Sequence, residues 1–334
     1  MPKGPTPPLQ GVDVVLFDLD GVVYAGDGAI PHAVDSLERA RAEARVGYIT
    51  NNASRSDATV AEHLSSLGLT VSASDVVTSP QAAMRVLADL LPAGATVLVV
   101  GGDGLVVEAE KAGYRLTRSA EDEPDAVVQG FAPHVGWEHL AEASFALREF
   151  PERVWVATNT DWTIPVARGI APGNGTLVSA VHTAIGRLPI VAGKPEVPMF
   201  TLAMERFGAQ RALVVGDRLD TDIRGANAAG LESVLVLTGI DGAKQVLAAP
   251  EQDRPTYILE DLRGLHEPYP EVRSVAKRGA TVVTVGHASV RVLDDDVTVV
   301  TKGTAIDLLR AGCAAVWGTG KPIYALRVDA ELYS

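Results

Sequence analysis

The chain has only one cysteine, Cys313, in 334 residues. No intramolecular disulfide can form, and a reducing compartment fits best. Long apolar runs are missing as well. No uninterrupted stretch approaches the roughly 18 residues of a membrane span, and the opening MPKGPTPPLQ lacks the apolar centre of a signal peptide. A cytoplasmic protein is therefore expected, with no membrane association. Basic residues are scarce, 29 Lys and Arg against 42 Asp and Glu, and the formal net charge of −13 argues against nucleic acid as a partner. The seven histidines show no paired-ligand spacing, so no zinc site is expected. What is present is a hydrophobic content of 47%, enough for real cores, in a chain long enough for two or three domains.

Along the chain, short β-rich runs alternate with amphipathic helices. Strands are expected at 12–18, 46–50, 96–100, 126–129, 153–157, 212–215 and 233–237. Helices are expected at 31–44, 56–67, 79–91, 137–149, 176–186, 197–207 and 221–229. This alternation predicts an α/β fold, a doubly wound parallel sheet covered on both faces. Beyond Pro270 the pattern changes: 279–301 reads as three short strands, 304–316 as a helix and 322–328 as a last strand. Ligands of parallel sheets bind at the carboxyl ends of strands, which directs attention to polar residues there.

Four segments carry chemistry. Val14-Val15-Leu16-Phe17 ends in Asp18-Leu19-Asp20-Gly21, two carboxylates one residue apart followed by a glycine that allows a tight turn. The run 46–49 delivers Thr50-Asn51-Asn52, and 213–215 delivers Gly216-Asp217-Arg218-Leu219-Asp220-Thr221-Asp222. The loop Gly193-Lys194-Pro195 supplies a lysine. An acidic protein that handles phosphate must build its positive site locally, and these segments can do so. Mg²⁺ takes hard oxygen ligands, so Asp18 with Asp217 makes a minimal set. Asp18 can act as nucleophile and Asp20 as general acid and base. Thr50 and Asn51 offer hydroxyl and amide donors to phosphate oxygens, and Lys194 a positive charge.

The order DLDGV, TNN, GKP, GDRLDTD resembles the four signatures of the haloacid dehalogenase superfamily, over residues 12–265. The long insertion between the second and third resembles the large cap of its NagD-like branch. That resemblance implies a Rossmann-like core at 1–80 and 190–268, an inserted α/β cap at 81–189 and a small α+β extension at 272–334. It makes Asp18 the nucleophile and Asp20 the acid/base that lends its backbone carbonyl to Mg²⁺. Gly21, Thr50, Asn51 and Lys194 then serve the phosphoryl group, Asp217 is a metal ligand and Asp222 supports the metal. Asp220 either shares that role or caps the following helix. Dehalogenases lack the second aspartate, and the phosphomutases carry a smaller cap between the first two motifs. Only enough chain for one helix separates Asp20 from Thr50, so a phosphatase of small phosphomonoesters is expected.

In the cap, Thr158-Asn159-Thr160-Asp161 and Pro172-Gly173-Asn174-Gly175 resemble family segments that shape the pocket; equally, they stabilise a turn and a helix start. Arg168 is a candidate for holding an anionic or polyol substrate, and Trp162 lies either in the pocket or in the cap core. Gly101-Gly102-Asp103-Gly104 lacks nucleotide-loop spacing and reads as a tight connection. The tail resembles the partial acetyltransferase-like module of some actinobacterial members. For those members glycerol 3-phosphate is the expected substrate, with phosphoglycolate, a sugar phosphate or a non-catalytic binding role as alternatives. The tail has no pyrophosphate-binding loop, so packing, oligomerisation or regulation is the role expected of it, and its removal is expected to leave the core motifs intact. A homodimer is expected by the same resemblance.

Overall fold

The computed structural model describes residues 5–166, 168–277 and 279–333. They form two compact units, one from the described residues up to 46 and from 210 onward, the other from those between 47 and 209. In the first unit the strands Tyr257–Leu259, Glu232–Val236, Ala212–Gly216 and Val14–Phe17 lie side by side in that order, all parallel. Their near-continuous Val, Leu and Ile content is the mark of strands buried on both faces, and Val14–Phe17 is fully buried. In the second unit, Gly47–Thr50 continues a strand that begins at Arg45 and pairs in parallel with Val76–Thr78. A separate five-stranded parallel sheet runs in the order Ile190–Val191, Val154–Ala157, Ala126–Gln129, Thr96–Val100, Arg115–Thr117. Its core is closed by the helices Trp137–Arg148 and Asn174–Ile185 packing over Trp155, Val127 and Leu98. The α/β class expected from the alternation is present in both units.

Local sequence accounts for the helix ends that matter. Ser56 accepts the Thr59 N–H and starts Asp57–Ser66. Pro80 stands at the first turn of Ser79–Leu90, where no backbone donor is needed. The glycines at 101–104 serve packing: a Cβ on Gly104 would lie 2.6 Å from the Arg55 carbonyl oxygen. Trp162 is 66% exposed, which places it outside the cap core where it was one of two expectations. No helix among the described residues is long and apolar enough to cross a membrane.

The tail differs from expectation in two ways. It contains four antiparallel strands, Val272–Lys277, Ala280–Val285, Ala288–Leu293 and Asp296–Thr301, where three were expected. The first hides because its valines, Val272 and Val275, are exposed and show no clean alternation. Of the strand expected at 322–328, only Arg327–Val328 forms, pairing in parallel with Asp296–Val297 after a 3₁₀ turn, Ile323–Ala325.

The tail is also no detachable appendage. Its helix Ala305–Gly318 covers one face of the antiparallel sheet, and Val283, Val290 and Cys313 share one core with Leu219, Ile223 and Leu247. Burial pushes the Cys313 thiol up, so it stays neutral and acts as a packing group. The Arg310 guanidinium donates twice to the Ile258 carbonyl, at 2.9 and 2.8 Å, and stacks over Tyr269. The Ile258 N–H in turn donates to the Tyr269 hydroxyl at 3.1 Å. Removing 272–334 would therefore uncover buried leucine and isoleucine surface beside the Asp217 segment. Truncation at residue 271 is expected to give insoluble or molten protein, read by near-UV circular dichroism and size-exclusion chromatography. A soluble truncation with native tertiary signal would contradict the shared core.

Candidate active site

In the first unit, Val14–Phe17 and Ala212–Gly216 run in register, Phe17 opposite Val215. The Asp18 N–H donates to the Val215 carbonyl at 2.8 Å, so Asp18 leaves its strand beside the start of the Gly216-Asp217 turn. Asp18, Asp217 and Asp222 each present a carboxylate oxygen, and these oxygens lie within 4.8 Å of one another. Asp217 and Asp222 are only 2% and 0% exposed. Carboxylates crowded this way repel, and burial strips the water that would relieve them. The donor set is all hard oxygen and anionic, which fits Mg²⁺.

The cluster is tightly shaped by glycine. Asp217 accepts the Ile240 N–H at 2.7 Å, and a Cβ on Gly239 would stand 1.9 Å from the same Asp217 oxygen. Gly21, at φ +78°, presses on Asp217 from another side, where a Cβ would come within 2.3 Å. Gly216 lets Asp222 fold back, since its Cβ would meet the Asp222 Cβ at 2.2 Å. Asp222 itself sits in the wide π-helical turn Leu219–Ile223 and accepts the Arg218 N–H at 3.2 Å. Asp220 is engaged by the Arg218 guanidinium at 3.1 and 2.9 Å, so its charge is spent at the surface. Gly239→Ala is expected to displace the Asp217 carboxylate and to cut turnover by about a hundredfold or more, as misplacement of about 1 Å commonly does. Full activity in that variant would contradict the packing described.

Asp20 is exposed, with the Tyr24 hydroxyl 3.5 Å from its Oδ2. The Gly21 N–H donates to the Tyr24 carbonyl at 2.9 Å, which closes the turn after Asp20. Burial raises the Asp241 carboxyl above its usual range against the Leu219 N–H that lowers it, and the carboxylates of Asp220 and Asp222 raise it further.

The second unit holds the other motif residues. Thr50 and Lys194 are each 3% exposed. Asn51 is the hub between them. Its Oδ1 accepts the Lys194 N–H at 2.9 Å, and its Nδ2 donates to the Lys194 carbonyl at 3.0 Å and to both Asp161 oxygens at 3.2 Å. Its carbonyl accepts from the Ser79 hydroxyl at 2.8 Å and from Asn159 Nδ2 at 2.7 Å. The Asn51 side-chain amide, expected as a phosphate donor, is thus engaged within the protein, where it pins the lysine loop. Gly193 makes this possible, since a Cβ there would lie 2.3 Å from the Thr158 carbonyl oxygen and 2.6 Å from Asn51 Oδ1. Asn159 and Asp161, expected either at the substrate or in a turn, are joined to this hub, and Asn174 Nδ2 extends it to the Asn159 carbonyl at 2.7 Å. Arg168 stands exposed in the turn between Thr163–Val166 and Gly169–Pro172.

Sequence reasoning missed Thr238, Gly239, Ile240 and Asp241, together with Ser79 and Tyr24. The first four follow the strand Glu232–Val236, so the strand-end rule could have found them. Gly239 and the Ile240 N–H act through small size and a backbone group, which leave little trace in side-chain chemistry.

Residues 15–115 match the haloacid dehalogenase-like hydrolase family, and 191–265 match a second HAD-hydrolase-like family. The chain is 47% identical over 312 residues to D-glycerol 3-phosphate phosphatase of Mycobacterium tuberculosis, covering 92% of this chain and 86% of that protein. Human chronophin is 38% identical over 272 residues, 76% of this chain and 92% of that protein. The crystal structure of the M. tuberculosis glycerol phosphate phosphatase in complex with magnesium superposes with a TM-score of 0.86 at 44% identity, covering 97% and 94% of the two chains. The p-nitrophenyl phosphatase of Archaeoglobus fulgidus gives 0.70 at 28% identity, covering 76% and 98%. The chain belongs to the haloacid dehalogenase-like hydrolases, among relatives that are phosphatases.

Proposed function

We propose that this chain is a Mg²⁺-dependent phosphatase that hydrolyses glycerol 3-phosphate to glycerol and phosphate through an aspartyl-phosphate on Asp18. The observation that carries the mechanism is the cluster of the half-buried Asp18 with the buried Asp217 and Asp222, beside the exposed Asp20. The substrate rests on the 47% identity to the mycobacterial enzyme. In this reading Asp18, Asp217 and the Asp20 backbone carbonyl hold the ion, and Asp222 supports it. Bound there, Mg²⁺ offsets the repulsion between a carboxylate nucleophile and a dianionic phosphate.

The Asp18 carboxylate oxygen forms a bond to phosphorus as the ester P–O bond breaks, and Asp20 gives its proton to the departing alkoxide. Asp20, now a carboxylate, takes a proton from water as that water attacks the phosphorus. The Asp18–phosphorus bond breaks, phosphate leaves, and both aspartates return to their starting states. The chemistry requires donors on the phosphoryl oxygens, which this reading assigns to Thr50, the Asn51 segment, Gly21 and Lys194. Asn51, Asn159 and Asp161 support Lys194, and Arg168 is assigned to the leaving group. The segment 81–189 reads that leaving group, the protein works in the cytoplasm, and it pairs as a homodimer.

Phosphate release from glycerol 3-phosphate, 2-phosphoglycolate, pyridoxal phosphate and sugar phosphates, with Mg²⁺ and with EDTA, tests the proposal. EDTA-sensitive turnover with a preference for glycerol 3-phosphate is expected. Preference for another ester would overturn the substrate assignment alone. No turnover by folded, Mg²⁺-supplied protein would favour a binding role.

A further inference from the structure

One short loop, Thr238 to Asp241, grips both segments that make up the acidic cluster. The Thr238 hydroxyl donates to the Gly21 carbonyl at 2.6 Å, in the turn just after Asp20. The Ile240 N–H donates to the Asp217 carboxylate at 2.7 Å, and the Asp241 N–H to the Asp217 carbonyl at 3.1 Å. The Asp241 carboxylate accepts the Leu219 N–H at 2.7 Å, at the head of the turn that carries Asp222. The Ile240 side chain is 62% exposed, so burial of the loop's one large apolar group does not hold it in place.

We propose that this loop is the clasp that fixes the spacing of the carboxylates, and that Thr238 and Asp241 are positioning residues for Mg²⁺ affinity. The inference rests on the reading of the cluster as a metal site. The three carboxylates come from two strand ends, and the repulsion between them works against their convergence. A fixed scaffold keeps them within 4.8 Å, so the ion does not bear the cost of gathering them. Outer groups that orient metal ligands commonly change metal affinity by about 10–100-fold. Neither side chain needs to touch substrate to do this.

The test is calorimetric titration of the full chain with Mg²⁺ alone, with thermal unfolding of each metal-free variant as a control of fold. Asp241→Ala and Thr238→Val are each expected to weaken Mg²⁺ binding by about tenfold or more. Asp241→Asn is expected to restore most of the affinity, because its Oδ1 accepts the same Leu219 N–H. Thr238→Ser does likewise for the Gly21 carbonyl. Wild-type affinity in folded Asp241→Ala or Thr238→Val would overturn the clasp. An Asn variant as weak as the Ala variant would also overturn it, since charge and not the bond would then matter. If Asp241→Ala fails to fold, the near-isosteric Thr238→Val with its Ser rescue decides the matter. Failure of the wild type itself to bind Mg²⁺ would sink the metal-site reading instead, and so is distinguishable.

Discussion

Asp18→Asn is expected to abolish hydrolysis, lowering kcat by about four orders of magnitude or more, as loss of a covalent nucleophile does. The amide is nearly isosteric with the carboxylate, and the Asp18 N–H bond to the Val215 carbonyl is untouched, so the fold persists. What changes is the lone pair: a neutral amide oxygen is a poor nucleophile toward phosphorus. The substitution also removes one of three charges crowded within 4.8 Å. Without metal, relief of that repulsion is expected to raise the melting temperature of the variant above that of the wild type. Loss of activity with a raised metal-free melting temperature is a combination that a merely damaged protein would not show. Substantial residual turnover would rule out covalent catalysis by Asp18.

Asp20→Asn separates the two halves of the reaction. General acid catalysis contributes about 10²–10⁴-fold where the leaving group is a poor one. An alkoxide such as that of glycerol needs the proton; 4-nitrophenolate, stabilised by its ring, needs little help. The variant is therefore expected to lose activity of that order on glycerol 3-phosphate and clearly less on 4-nitrophenyl phosphate. The exposure of Asp20, with the Tyr24 hydroxyl 3.5 Å from its Oδ2, suits a group that must meet substrate and then water. Equal losses on both esters would mean that Asp20 acts on the metal or on the hydrolytic step.

The parallel α/β architecture was legible because its strands are short, apolar and β-branched, as Val14–Phe17 and Ala212–Gly216 show. Asp18 and Asp217 were legible because carboxylates at strand ends have few structural reasons to crowd. The roles of Gly239, Gly193 and the Ile240 N–H were not, since a glycine's value lies in the atom that would collide with its missing Cβ, and sequence does not name that atom. Asn51 shows how much of a residue's role its chemistry leaves unsaid. Its chemistry suits a phosphate, yet both ends of its amide are taken by Lys194 and Asp161, residues far along the chain. The tail strand Val272–Lys277 escaped because its outward valines break the alternation that a half-buried strand displays.

The central claim is that phosphate passes through Asp18. Wild-type protein mixed with glycerol 3-phosphate and Mg²⁺, acid-quenched during turnover and mapped by tandem mass spectrometry, addresses it directly. The account predicts phosphate on the peptide containing Asp18, at that residue, and none in the Asp18→Asn variant. Rapid turnover with no phosphorylated peptide under conditions that preserve acyl phosphates, or label on another residue, would contradict it.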